Sequence, residues 1–180
     1  MLRWQAVICS SSPCVWWRTG GAGGLAGELR VLLDDGGPQV SGGQPAICGG
    51  CLCGAVRFEL GELPSDAGYC HCTRCQRRTG TAASAQARID GRSFRLSAGE
   101  QALGVWRHAD GGFEKCFCVH CGAHLFSRNP DDRSQMSIRM AAFDEDPGVR
   151  PSWRAYVVYA APWEPIPDDG LPRHQEGRPR

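Results

Sequence analysis

The sequence is short of net charge, of long apolar runs and of helical periodicity, and each shortage excludes a class of protein. Twenty Lys and Arg residues face 19 Asp and Glu, leaving a formal charge of +1 over 180 residues. So small an excess gives no field to hold a polyanion. The arginines are spread along the chain among the acids, so no basic face for nucleic acid is visible. No run of about 18 apolar residues occurs, which excludes an ordinary membrane-spanning helix. The uncharged stretch from Trp4 to Trp17 is broken by Ser10, Ser11, Ser12 and Pro13, and no clear small-residue cleavage site follows, so it does not read as an export signal. What is present is ordinary globular material, with 42% hydrophobic and 22% charged residues, enough to argue against disorder throughout. One domain is the expectation at this length, burying roughly 70% of the unfolded surface.

Residues 1–45 differ from the rest. Nine of the 24 glycines fall between Gly20 and Gly43, and only Glu28 to Leu33 has the pattern of a short element. Such a segment cannot recover its ordering entropy by burial, so a flexible Gly-rich extension is expected. From Ile47 onward short strand-like runs alternate with turn residues. Ala55 to Leu60 alternates apolar and polar side chains and is closed by Gly61. Further strands are expected at Thr81 to Ile89, Phe94 to Leu96, Leu103 to Trp106, Phe113 to Phe117, His124 to Phe126, Met136 to Met140 and Tyr156 to Tyr159. Gly and Asp clusters such as Asp110-Gly111-Gly112 separate them. The pattern predicts a mainly β domain over residues 46–175, of short antiparallel strands with few helices. Five of the 12 prolines lie from Pro162 on, so this end is expected to wrap the surface irregularly, pinned by Trp163, with residues 176–180 frayed.

Eleven cysteines carry the chemistry. Seven sit in tight groups: Cys51-x-Cys53, Cys70-x-Cys72-x-x-Cys75 and Cys118-x-x-Cys121. Such spacings bring thiolates to a point, as a metal requires, whereas disulfide scaffolds spread their cysteines between loops. The odd total and the missing export signal agree with a reducing, cytoplasmic setting. Zinc is satisfied by four thiolates in a structural site, and Cys51, Cys53, Cys118 and Cys121 together supply four. Gly54 and Gly122 beside the two pairs let the backbone turn tightly around an ion. Such a site would staple the start of the domain to its middle.

The triplet Cys70, Cys72 and Cys75 is different in kind. Three thiolates leave one tetrahedral position free, as in sites that do chemistry, and give a zinc ion a net charge of about −1. Arg74, Arg77 and Arg78 lie in the same stretch, where they either offset that charge, hold an anionic ligand or face solvent. A thiol entering the free position would be deprotonated and a carbonyl polarised, so the reactant is expected to bear sulfur or be electrophilic. The partition is not unique. Cys48 and Cys116 stand close enough to the groups to enter a shell, with Cys116 the leading spare candidate. His71, His120 and His124 are possible substitutes.

Three segments together carry a family resemblance. Gly49-Gly50-Cys51-Leu52-Cys53-Gly54-Ala55-Val56-Arg57-Phe58-Glu59, then Cys70-His71-Cys72-Thr73-Arg74-Cys75-Gln76-Arg77-Arg78-Thr79-Gly80, then Phe117-Cys118-Val119-His120-Cys121-Gly122 resemble the glutathione-dependent formaldehyde-activating enzyme family, also called the centromere protein V domain. Ala161-Pro162-Trp163 and Asp169-Gly170-Leu171-Pro172 look like its closing motif. The resemblance implies a compact, zinc-stapled β fold with two zinc ions. Cys51, Cys53, Cys118 and Cys121 would hold the structural ion and Cys70, Cys72 and Cys75 the catalytic one. It also implies a carbon–sulfur lyase joining glutathione, the co-substrate, to formaldehyde, or the reverse. Its partners are then a small thiol and an aldehyde, with neither membrane nor nucleic acid; Arg77 and Arg78 are candidates to contact the glutathione carboxylates. The chain departs from the family at Pro151-Ser152-Trp153-Arg154, where the family usually places His.

Two other readings remain at the level of sequence. In one the chain is a non-catalytic, zinc-stabilised interaction module, chromatin-associated as the family's alternative name suggests, with the second ion closed by a protein group such as His71 or Cys116. In the other the C-x-x-C pairs are redox centres, which bound zinc would suppress. Salt-dependent retention on DNA would favour the interaction module and none at low ionic strength would remove it, while metal analysis tests the redox reading. Protein prepared without chelators is expected to hold about two zinc ions, and Cys72→Ser about one, with the fold surviving. Cys53→Ser or Cys121→Ser is expected to yield no soluble protein.

Overall fold

The computed structural model describes residues 47–178. The expected extension 1–45, with Cys9 and Cys14, lies outside the described residues, as do the last two residues of the expected frayed tail. Among the described residues there are eleven strands and one α-helix. The strands are β1 (Ile47–Gly50), β2 (Arg57–Leu60), β3 (Asp66–Cys70), β4 (Ser84–Asp90), β5 (Phe94–Ala98), β6 (Leu103–Trp106), β7 (Glu114–Cys118), β8 (His124–Arg128), β9 (Gln135–Arg139), β10 (Pro151–Ala155) and β11 (Arg173–His174); helix α1 is Thr73–Thr79. This is the mainly β architecture expected.

The strands form two sheets, one in the order β1-β2-β5 and one in the order β11-β10-β3-β4-β9-β8-β7-β6. Neighbours are antiparallel except at β10, which runs parallel to both β3 and β11. Alternation explains the pairing. In β2, Phe58 and Leu60 point inward while Arg57 and Glu59 lie at the surface, where Arg57 pairs with Asp144 and Glu59 with Arg95. The sheets share one core in which Phe58 stacks on Phe94 at 5.5 Å and Phe94 meets Phe126 of β8 at 4.7 Å. Phe58 and Phe126, both fully buried, each contribute about 1.5–3 kcal/mol.

The C-terminal end departs from expectation in two places. Tyr156 takes a left-handed backbone (φ 58°), and Val157–Tyr159 form a 3-10 turn instead of a strand. Trp163 does not pin the tail, being 67% exposed. Main-chain bonds hold it instead: Arg154 N–H donates to Pro172 O at 2.9 Å and Tyr156 N–H to Glu176 O at 2.9 Å. Arg178 also reaches Asp66.

Strand β3 delivers Cys70 to its site, and its seat against β10 depends on Gly68. A Cβ there would run into the Trp153 ring. That ring cannot give way, because its indole N–H donates to Asp66 at 2.9 Å and the Arg88 guanidinium lies over it at 4.9 Å. Gly68→Ala is expected to destabilise the fold by about 1–3 kcal/mol in urea titration. In a Trp153→Leu background the same change should cost less, because the clash is gone.

Candidate metal centres and the cleft beside them

Two tight turns build the first centre. Cys51 follows β1 and Cys53 lies in the turn before β2; Cys118 ends β7 and Cys121 lies in the turn before β8. In each turn a glycine in the left-handed region closes the bend, Gly54 at φ 76° and Gly122 at φ 71°. Their N–H groups donate to Cys51 O at 3.1 Å and Cys118 O at 2.8 Å. Val56 N–H donates to the Cys51 sulfur at 3.2 Å, so the backbone already presents hydrogens to sulfur as if to thiolate. The four sulfurs lie within 4.8 Å of one another, with Cys51 to Cys53 at 3.5 Å and Cys53 to Cys118 at 3.8 Å. A tetrahedral zinc ion with bonds of about 2.3 Å to sulfur needs its sulfurs roughly 3.8 Å apart. The donor set fits.

The second centre comes from one segment. Cys70 ends β3, Cys72 caps α1, and Cys75 sits in the helix's first turn. The Cys72 backbone is extended (ψ 148°) and its sulfur accepts from Cys75 N–H at 3.4 Å, doing what a Ser or Asp oxygen does at other N-caps. The three sulfurs lie within 4.8 Å of one another. Cys70 and Cys75 are buried and Cys72 is partly exposed, so the group opens at Cys72. Hydrogen bonds from the Cys70 and Cys75 thiols hold Cys72 far below the usual thiol range, while Cys70 is pushed up, mainly by sharing a proton with Cys72. A dication would let all three ionise.

The spare donors stay outside both groups. Cys116, fully buried on β7 and pushed up to about 11 by burial, belongs to neither, and nor do Cys48, His71, His120 and His124. His71 is buried, with Nε2 3.3 Å from Arg154 Nη1. Arg donates there, so the ring proton sits on Nδ1, which has no partner among the described residues. Arg154 is itself buried and paired with Asp169 at 2.6 Å.

A cleft opens beside the second centre. Cys72 and Cys75 share its lining with Arg74, Arg78, Trp106, His108, Gly111, Gly112, Phe113 and Lys115, so α1 faces the β6–β7 hairpin across it. Arg78 is therefore in the cleft wall, while Arg77 is exposed and not among the lining residues. Lys115 is the only lysine in the sequence. Burial pushes it down to about 8, against the pull of Cys75 and Cys70. Arg78 donates to His124 Nδ1 at 2.7 Å, and burial together with Arg78 lowers His124 to about 4. Buried Arg139 donates to Ser84 at 2.6 Å, Gln86 at 2.7 Å and Ser127 at 2.9 Å. Sequence reading missed Lys115, Trp106, His108, Phe113 and Arg139. The solitary lysine beside the C-x-C of β7 is the one signal that was there.

His124 supplies a pH test. Its folded pKa lies below the ordinary value near 6.5, so between pH 6.5 and 4 the unfolded chain binds the extra proton and stability falls as pH falls. Thermal melts should show a shallower slope in that window for His124→Gln, by on the order of 1 kcal/mol after solvent screening.

Comparison with known proteins follows the same lines. The glutathione-dependent formaldehyde-activating enzyme family matches residues 46–159. A crystal structure of a Rhodobacter sphaeroides protein is similar at 29% identity, covering 58% of this chain and 91% of that one, with a TM-score of 0.45. No curated protein matches. With both cysteine groups assembled within the matched residues, the chain belongs to the glutathione-dependent formaldehyde-activating enzyme family.

Proposed function

We propose that the chain is a zinc-dependent carbon–sulfur lyase that joins glutathione to formaldehyde as S-hydroxymethylglutathione, or cleaves that adduct. The observation that carries this reading is the three-sulfur group at the edge of a cleft whose other walls are cationic and aromatic. Cys51, Cys53, Cys118 and Cys121 hold a structural zinc in this reading, and Cys70, Cys72 and Cys75 a catalytic one. When bound there, zinc favours the thiolate form of an incoming thiol and can polarise a carbonyl.

The chain's own residues do the rest. Arg74, Arg78 and Lys115 surround the cleft with positive charge and favour an anionic thiol over a neutral one. Trp106 and Phe113 give it apolar walls that limit water. As the sulfur–carbon bond forms, the carbonyl π pair moves to oxygen, which must take a proton. Lys115, ionised at neutral pH but lowered towards it, is the side chain we assign to give that proton and to recover it from the next thiol. That, among the described residues, neither His71 nor Cys116 joins the three sulfurs supports an open fourth position.

The test is adduct formation from formaldehyde and a set of thiols by the zinc-saturated protein. Glutathione is expected to react well above the uncatalysed rate, and 2-mercaptoethanol, which lacks carboxylates, more slowly. Arg78→Gln should raise KM for glutathione more than it lowers kcat, and Lys115→Met should lower kcat roughly 100-fold or more. No acceleration for any thiol with both ions present would sink the proposal.

A further inference from the structure

Charge around the three-sulfur group does not balance in the way buried charge usually does. Arg139 and Lys115 both donate to Ser127, at 2.9 and 3.4 Å, Arg78 lines the same cleft as Lys115, and among the described residues none of the three forms an ion pair with a carboxylate. Arg139 is the extreme case. It is 5% exposed, lies outside the cleft lining and satisfies its guanidinium on three neutral side-chain oxygens. Its Nε is buried with no hydrogen-bond partner among the described residues.

Neutral oxygens satisfy N–H donors but do not cancel a charge, and an uncompensated buried cation is strongly unfavourable. A residue needed only to fill the space between Ser84, Gln86 and Ser127 would cost less without a charge. Geometry sets that charge beside the sulfurs: Ser84, which accepts from Arg139 at 2.6 Å, is the cross-strand partner of Cys70 at the end of β3.

We propose that Arg139 is a positioning residue for the three-sulfur centre, supplying from inside the protein the counter-charge that keeps Cys70, Cys72 and Cys75 together as thiolates around a metal ion. Arg78 and Lys115 complete the shell from the cleft side. This rests on reading that group as a metal site, and it deepens the reading. Three thiolates around a dication leave one net negative charge against three cations. The surplus is positive, and it favours an anion as the fourth ligand.

The experiment uses chelator-free, zinc-loaded protein titrated with a chromogenic zinc chelator, so that zinc release and not turnover is read. The native chain is expected to release two ions in separate steps, the three-sulfur ion first. A native chain holding a single ion would overturn the metal-site reading before any variant is made, and the proposal with it. Arg139→Gln is expected to weaken the first-released ion about 10- to 100-fold and leave the second unchanged. Arg139→Lys, which keeps the charge but not the hydrogen-bond fork, should recover most of that loss. Unchanged release from Arg139→Gln, or equal losses in the Gln and Lys variants, would overturn the proposal. If Arg139→Gln does not fold, Lys115→Gln decides in its place: weaker zinc there supports the shell and unchanged affinity overturns it.

Discussion

Four sulfurs drawn from two distant turns must lie within 4.8 Å of one another, and much of the fold is arranged to meet that demand. Cys53 and Cys118 are 65 residues apart in sequence, one beside the three-stranded sheet and the other at the end of a strand in the eight-stranded sheet. Thiolates this close repel, and without a cation they must share protons. Against the pull of the Ala55 N–H, the Cys51 thiol helps push Cys53 up to about 12; the Ala123 and Cys53 N–H groups outweigh burial and draw Cys121 down to about 6. A dication removes the conflict, and the binding energy of such an ion is comparable to the whole net stability of a domain. The Phe58–Phe94–Phe126 contacts join the same two sheets. A metal held there and the core would therefore constrain one arrangement, each limiting the error the other permits.

The two cysteine groups differ because their chain paths differ. The four-sulfur group is a long-range crosslink made of turns, with Leu52 at one tip 86% exposed and contributing little to packing. Its loss would separate elements. The three-sulfur group spans six residues, from the last residue of β3 to the first turn of α1, and β3 is held on both sides by β4 and β10. Its geometry survives as long as those strands do. Local closure of this kind brings three sulfurs together, where the two turns bring four.

Sequence spacing exposed both groups because metal ligands that follow one another through a tight turn or a helix start are close in the chain as well as in space. Strands that alternate were legible too; β6 runs from Leu103 to Trp106, as the pattern predicts. The strands that carry tertiary contacts were not. In β3 the inward position at Gly68 is empty of side chain because Trp153 fills it from β10, and a glycine and a proline hide both strands from pattern reading. Tyr156 to Tyr159 has the aromatic and β-branched make-up of a strand, but the left-handed backbone at Tyr156 bends the chain off the sheet. Arg77 and Arg78 are neighbours in sequence, yet about 100° of helical rotation separates them, and only Arg78 reaches the cleft. The counter-charges Arg139 and Lys115 arrive from β9 and β7 through sheet order, which no spacing near the cysteines encodes.

Arg154 shows where a departure from a family pattern need not touch the chemistry. The resemblance would place histidine there; the Arg154 guanidinium lies over Tyr69 at 4.5 Å, pairs with Asp169 and donates to His71. His71 N–H donates to Ala155 O at 2.9 Å, and the Gln76 amide donates to Tyr159 O at 2.7 Å and to His71 O. These bonds fasten the backbone between Cys70 and Cys72 to β10 and to the turn after it. Histidine at position 154 would provide one such link; arginine, with five donors, provides several at once and holds Asp169 of the tail as well. Neither Arg154 nor His71 lines the cleft. Their work is to fix where Cys70 ends and Cys72 begins, so arginine at this position bears on how the sulfurs are supported and not on the wall of the cleft.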